Sequence, residues 1–414
     1  MTQKSPNPPL LAGGAKKQSF FDCQQHMAHT PEQLAPNPAP SLASLPTGRL
    51  APSPTGRLHL GNAYAFLAAW LSARSQGGKI ILRMEDIDPE RSRPEYAKDI
   101  MRDLSWLGFD WDEGPGREPA KEPVREPDNE PGREPGREPG RGERPYVQSQ
   151  RLAIYAAFLD SLAERGLTYP CYCTRKDLRL LASAPHIGDE GAPYPGTCRS
   201  LDAAARARWE KEGRAACTRL HTRYAIQQAQ KELAGCLPDD NVKACHDARS
   251  IAPIAFMDKV LGWQSIELER CGGDFALRRS DGVVAYQLAV AVDDALMGIS
   301  EVVRGDDLLL STPRQLLLFA LMGRAAPTYA HVPLLHNAQG ERLAKRHKGL
   351  ELAALREAGV DSKAVVGWLA ALAGWLPAAR RVYPGELLEC FSFASLRGRR
   401  LTLPETILSD LAAL

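Results

Sequence analysis

Four groups of residues in this 414-residue chain have the types and spacing to handle phosphate, carboxylate or metal. The first is Arg49-Leu50-Ala51-Pro52-Ser53-Pro54-Thr55-Gly56-Arg57-Leu58-His59-Leu60-Gly61-Asn62. A helix start offers unpaired N–H groups and partial positive charge to a phosphate. Gly61 would let an anionic ligand approach the backbone, and His59 can donate to a phosphate oxygen. The second group is Glu85, which follows an apolar run, together with Tyr286 and Arg304. Arg304 either grips a carboxylate with two parallel hydrogen bonds or pairs with Asp306 or Asp307. The third is Cys171-x-Cys173 with Tyr194-x-x-x-Cys198, a four-ligand zinc set of three thiolates and a phenolate, or else buried thiols and a packing tyrosine. His186 is a substitute ligand for that set. The fourth is the basic segment Glu341-Arg342-Leu343-Ala344-Lys345-Arg346-His347, which alone reads as a solvated surface.

These residues need elements to hold them. The first group reads as a strand, a proline-stiffened turn and a helix capped by Asn62, with Phe66, Leu67, Trp70 and Leu71 as its stripe and Gly77-Gly78 as its stop. Lys79 to Met84 reads as a buried strand that leaves Glu85 at its carboxyl end, where open α/β sheets collect ligands. Helices are expected from about Pro94 to Leu107, with Ile100, Leu104 and Leu107 inward, and from Leu152 to Gly166, with Leu152, Tyr155, Leu159 and Leu162 on one face. Ile254 to Glu269 has β character, Gly282 to Asp294 reads as a central parallel strand running on into the next element, and helices dominate after Thr312.

Two or three domains fit the length. Residues 1 to about 47 read as a flexible extension. From Gly116 to Pro139 a Glu-Pro pair recurs every four residues, as in Gly-Arg-Glu-Pro, which forbids a helix and predicts a solvated, disordered loop. A second, irregular insertion is expected near Gly235 to Ile251. Net charge of +2 neither supports nor excludes RNA, so an RNA partner would need a local basic face. No apolar run reaches the roughly 20 residues of a membrane span, and nine cysteines at uneven spacing argue for a reducing compartment; a cytoplasmic protein with no membrane partner is expected.

Arg-x-Ala-Pro-Ser-Pro-Thr-Gly-x-Leu-His-x-Gly resembles the HIGH-type signature of class I aminoacyl-tRNA synthetases in the glutamate and glutamine branch, with Asn62 at its final histidine. Residues 341–347, following Pro333-Leu334-Leu335-His336, resemble the family's KMSKS loop; Arg342 and Ala344 replace the first lysine and serine, and Lys345 is retained. The cysteine and tyrosine set resembles the zinc-binding insertion of that branch. The resemblance implies an α/β, Rossmann-like catalytic domain over 48–340, carrying the repeat loop at 114–145 and a zinc-containing subdomain at about 167–250, then the loop and a short helical part over 341–414.

It also implies roles. Arg49, Leu50, Ala51, Pro52, Ser53, Glu85, Tyr286 and Arg304 would bind glutamate, with Glu85 on the ammonium and the arginines and Tyr286 on the carboxylates; which arginine takes which carboxylate stays open. His59, Gly61, Asn62 and Lys345 would bind ATP, which brings Mg²⁺, and His59 and Lys345 would be catalytic. Cys171, Cys173, Tyr194 and Cys198 would hold one structural Zn²⁺. About 70 residues follow Lys345, where glutamyl-tRNA synthetases continue into an anticodon-binding domain. That shortening resembles the glutamyl-Q tRNA(Asp) branch, which attaches glutamate to the queuosine base of the aspartate anticodon. The implied partners are ATP, L-glutamate and queuosine-bearing tRNA(Asp), the implied state a monomer. The alternatives are charging of tRNA(Glu) at its 3′ end and a non-catalytic glutamate- or ATP-binding paralogue. Dehydrogenases and P-loop kinases are disfavoured, since their glycine signatures do not occur.

Overall fold

A computed structural model of the chain describes residues 45–116, 145–174, 177, 194–234, 253–343 and 348–414. The 1–44 extension, the repeats at 117–144, His186, the insertion at 235–252 and Lys345 lie outside the described residues.

Strand β1 (Thr47–Leu50) leads through the proline turn into helix α1 (Leu60–Ser75), and the chain returns as β2 (Lys79–Leu82). The two strands are parallel, with Thr47 opposite Lys79 and Leu50 opposite Leu82. A Cβ at Gly48 would sit 3.1 Å from the Ala73 Cβ, so the missing side chain lets α1 lie close on the strand. The N-cap of α1 is His59, not Asn62: the His59 Nδ1 accepts the Gly61 N–H at 3.1 Å, while the Asn62 Oδ1 accepts the His59 N–H at 3.1 Å. The expected cap thus sits three residues into the helix as the reciprocal half of the capping pair. Helix α2 (Pro94–Trp106) buries Ile100 and Leu104 as expected, followed by Leu107.

Helix α3 (Leu152–Glu164) buries Tyr155, Leu159 and Leu162, whereas Leu152 at its first turn is half exposed. It is followed by β3 (Thr168–Cys171), α4 (Ala203–Lys211), β4 (Cys217–Leu220) and α5 (Thr222–Ala234). The hairpin β5 (Ile254–Asp258) and β6 (Gly262–Ile266) carries the β character expected after Ile254. Strand β7 (Ala276–Arg278) joins β3 and β4 in an antiparallel three-stranded sheet.

The apolar run from Gly282 is not a strand. Val284 makes one isolated bridge with Arg278, and helix α6 (Tyr286–Leu296) takes the rest. Gln287 through Asp294 are buried without a break, so the helix is enclosed all round and periodicity is lost. Next come β8 (Glu301–Gly305), α7 (Thr312–Leu321), β9 (Thr328–Val332) and the short β10 (Leu335–His336). Helices α8 (Leu352–Glu357) and α9 (Ser362–Ala373), strand β11 (Leu401–Thr402) and helix α10 (Ile407–Ala413) complete the chain; β9 and β11 interrupt the helices expected after Thr312.

The main sheet has the order β6-β5-β9-β8, parallel except at β5/β6. Beside β8 lies β1: the Thr47 N–H donates to Ser300 Oγ at 2.9 Å, and the Ser300 N–H donates to the Thr47 carbonyl at 3.0 Å. From β1 the chain moves outward to β2, and from β8 it moves the other way to β9. That reversal is a topological switch point, and the crevice outside its strands' carboxyl ends is where such a sheet takes ligands. One apolar core joins α1 to Leu343, Leu352, Val365, Leu369 and Ile407, so residues after 341 pack on the same helix that carries His59. No described helix is long and apolar enough to cross a membrane.

Candidate active site

The crevice at the switch point gathers Arg49 from the end of β1, Glu85 just beyond β2, Tyr286 at the start of α6 and Arg304 near the end of β8. The β1/β2 ladder continues past both strands: the Leu50 carbonyl accepts the Arg83 N–H and the Pro52 carbonyl accepts the Glu85 N–H, both at 2.9 Å. This fixes Leu50, Ala51, Pro52 and Ser53 beside Glu85, with Pro52 buried and Ser53 exposed. Arg49 donates from Nη1 to the Val303 carbonyl at 3.1 Å, and its buried Nε, 3.7 Å from Asp294, makes no hydrogen bond among the described residues.

Beneath the crevice, buried charges pair off. Arg83 donates to Asp294 at 2.6 Å and to Glu85 at 3.1 Å, and lies 3.6 Å from Asp293. Asp293 also accepts from Arg151 at 2.6 Å, Gln148 at 2.9 Å and the Tyr155 hydroxyl at 2.9 Å. Three guanidiniums, Arg49, Arg83 and Arg151, are thus matched by three carboxylates, Glu85, Asp293 and Asp294. Burial raises the Glu85 carboxyl above its usual range, and Arg83 and Arg49 offset part of that rise. Burial and the nearby Glu85 charge raise the Tyr286 phenol, which keeps it a hydrogen-bond donor, and the same phenol lies within the field of Arg304 and Arg49.

Arg304 is different. It is 5% exposed, and among the described residues all its hydrogen-bond acceptors are neutral: His331 Nε2 at 3.1 Å, Gln315 Oε1 at 2.8 Å, Thr312 Oγ1 at 2.8 Å and the Leu308 carbonyl at 3.3 Å. Neither Asp306 nor Asp307 takes it, and Asp307 pairs with Arg342 at 2.5 Å instead. A buried cation without a carboxylate partner favours an anion from outside.

On the phosphate side, accepting the Gly61 N–H at Nδ1 leaves a neutral His59 ring with its proton on Nε2, a donor. A side chain at Gly61 would meet the His59 Cε1 at 2.9 Å and Nδ1 at 3.0 Å, so only glycine leaves the imidazole in place. Leu343 follows the turn at Asn337 to Gly340 and reaches to within 4.0 Å of the same built Cβ. The chain therefore arrives at the His59 turn two residues before Lys345.

The sulfur atoms of Cys171, Cys173 and Cys198 lie within 4.8 Å of one another. The Tyr194 hydroxyl is 3.4 Å from Cys171 Sγ and accepts the Cys198 N–H at 2.7 Å, while the Arg219 guanidinium lies 3.9 Å over its ring. Three convergent thiols and an oxygen suit a tetrahedral zinc. The sequence motifs do not single out Cys217, which stands opposite Cys171 across β3/β4 and whose nearby thiol favours the Cys171 thiolate. Nor do they disclose Asp293, Asp294 and Arg83 as a network, or Asp258 and His331. The one signal is a charged residue interrupting an apolar run, as Arg83 does after Ile80, Ile81 and Leu82.

A switch-point crevice beside a histidine-capped helix start and a buried arginine is the layout of a ligand-binding α/β fold. The model of the tRNA synthetases class I (E and Q), catalytic domain, matches residues 47–237 and 239–384, and the chain belongs to this family; it is a ligase. It is 52% identical over 354 residues to the glutamyl-Q tRNA(Asp) synthetase of Nitratidesulfovibrio vulgaris, covering 86% of this chain and 94% of that protein. With the protein of the same name from Symbiobacterium thermophilum it shares 42% over 352 residues, 84% of this chain and 94% of that one. Glutamate–tRNA ligase 2 of Acidithiobacillus ferrooxidans is 39% identical over 76% of this chain and 55% of its own length. A crystal structure of a glutamate tRNA ligase from Elizabethkingia meningosepticum in complex with its amino acid superposes with a TM-score of 0.64 at 24% identity, over 89% of this chain and 69% of that chain, which shows the shared fold.

Proposed function

We propose that the chain activates glutamate with ATP and transfers it to the queuosine base of the tRNA(Asp) anticodon. The observation that carries the amino-acid half is Arg304, a buried guanidinium whose described partners are all neutral. With Arg49 and Tyr286 it offers three donors to the two carboxylates of glutamate, and Glu85 offers a carboxylate to the ammonium. Glutamine, bringing an amide in place of one carboxylate, would leave a guanidinium unmatched, which is the kind of unpaired buried group that discriminates strongly.

In the first step an oxygen of the glutamate α-carboxylate attacks the α-phosphorus of ATP in line. The phosphorus–oxygen bond to pyrophosphate breaks, leaving glutamyl-adenylate. No protein nucleophile takes part, so the contribution is positioning and charge stabilisation. The His59 Nε2–H and the start of α1 face the phosphates, Lys345 adds a cation, and Mg²⁺ arrives with ATP. In the second step a hydroxyl of the queuosine diol attacks the acyl carbon and expels AMP. Zinc held by Cys171, Cys173, Cys198 and Tyr194 would tie the end of β3 to the segment entering α4.

Support for the queuosine acceptor comes from the 52% and 42% identities spanning 94% of relatives bearing that name. Labelled glutamate and ATP, offered with queuosine-bearing tRNA(Asp) and separately with tRNA(Glu), test it. Label is expected on the first RNA, in an anticodon-containing fragment. Charging of tRNA(Glu) alone would assign the chain to 3′-end charging.

A further inference from the structure

The guanidinium of Arg304 is held from behind by groups the reaction itself does not use. Its Nε can only donate, so the His331 Nε2 at 3.1 Å accepts, and the His331 proton sits on Nδ1, 2.6 Å from Asp258 Oδ2. Asp258 is pinned in turn by the N–H groups of Val260 at 2.9 Å, Leu261 at 2.8 Å and His331 at 3.1 Å. Thr312 closes the ring, accepting from Arg304 Nη2 at 2.8 Å and lying 3.1 Å from His331 Nε2. Asp258 and His331 are buried.

We propose that His331 is a positioning residue for glutamate, a neutral imidazole that couples Arg304 to Asp258 while leaving the guanidinium's charge for the substrate. The proposal rests on the reading of Arg304 as a substrate-carboxylate group. Direct contact with Asp258 would neutralise Arg304, whereas an interposed imidazole fixes its Nε edge, as Gln315, Thr312 and Leu308 fix its other two nitrogens, without matching its charge. The charged groups facing the ring are Asp258 from β5, Arg304 from β8 and Arg49 from β1, and Tyr329 on its own strand stacks with it at 5.9 Å. Burial and the two guanidiniums favour the neutral ring, and a second proton, on Nε2, would face the Arg304 N–H.

Two measurements test this. In the unmodified chain, nitrogen NMR of labelled histidine is expected to show His331 protonated at Nδ1 and bare at Nε2, unchanged as the pH falls through 6.5, the ordinary histidine value. A proton on Nε2 would overturn the proposal whatever the variants do. Kinetically, His331→Ala is expected to raise the glutamate KM about tenfold or more, as loss of a hydrogen bond to a charged group does, with the ATP KM unchanged. His331→Gln, able to accept from Arg304 and donate to Asp258, should restore most of the loss. If Arg304→Lys raises the glutamate KM and His331→Ala does not, the positioning role falls and the Arg304 assignment stands. If neither variant moves it, both fall.

Discussion

Single residues carry much of the proposed chemistry, and Gly61 is the sharpest example. Its amide donates to the His59 Nδ1, and any Cβ there would press on the imidazole ring at 2.9 Å. Gly61→Ala is therefore expected to cut ATP–pyrophosphate exchange by roughly 10²-fold, the scale associated with a displacement of about 1 Å at a reacting centre. Normal exchange in that variant would remove His59 from the phosphate site. Glu85 gives a pH signature. With its carboxyl raised by burial, it gains a proton above the ordinary 4.5, and a protonated carboxyl cannot pair with the substrate's ammonium. The glutamate KM is expected to rise on acidification above pH 4.5, and Glu85→Gln should bind glutamate weakly and lose that limb. A variant retaining both affinity and limb would place the ammonium elsewhere.

Among the elements, the local ones were the most legible. Strand β1, the proline turn and α1 announce themselves through Pro52, Pro54 and Gly77-Gly78, because turn and cap chemistry acts within a few residues. Helix α6 was not legible as a helix: a segment buried on every side has no polar stripe to set the period, so Gly282 to Asp294 looks like a central strand. Cys217 escaped notice because its partner Cys171 is brought opposite by strand pairing, which no local motif encodes. The thiol cluster makes its own prediction at this scale. Protein purified without chelator is expected to carry about one zinc per chain, lost in Cys171→Ser or Cys198→Ser. Zinc-free protein with full stability would make the cluster a set of packed thiols.

For the whole molecule, what the sequence could not display is the convergence. Arg49 and Val303 are 254 residues apart, and Asp258 and His331 are 73 apart, yet each pair shares a buried hydrogen bond because β1 lies beside β8 and β5 pairs with β9. Resemblance proposes Arg49, Glu85, Tyr286 and Arg304 as glutamate-binding residues, and the fold brings their elements to one switch point; their charge balance, three carboxylates against three of four guanidiniums, was not legible. That one unmatched cation is the reason to expect an acidic substrate. ATP–pyrophosphate exchange, run with total tRNA present and glutamate, glutamine or aspartate supplied in turn, tests this most directly. Exchange dependent on glutamate and at least tenfold weaker with the other two is expected, since glutamine leaves a buried guanidinium unpaired and aspartate is one methylene short. No exchange with glutamate, or equal exchange with glutamine, would contradict it.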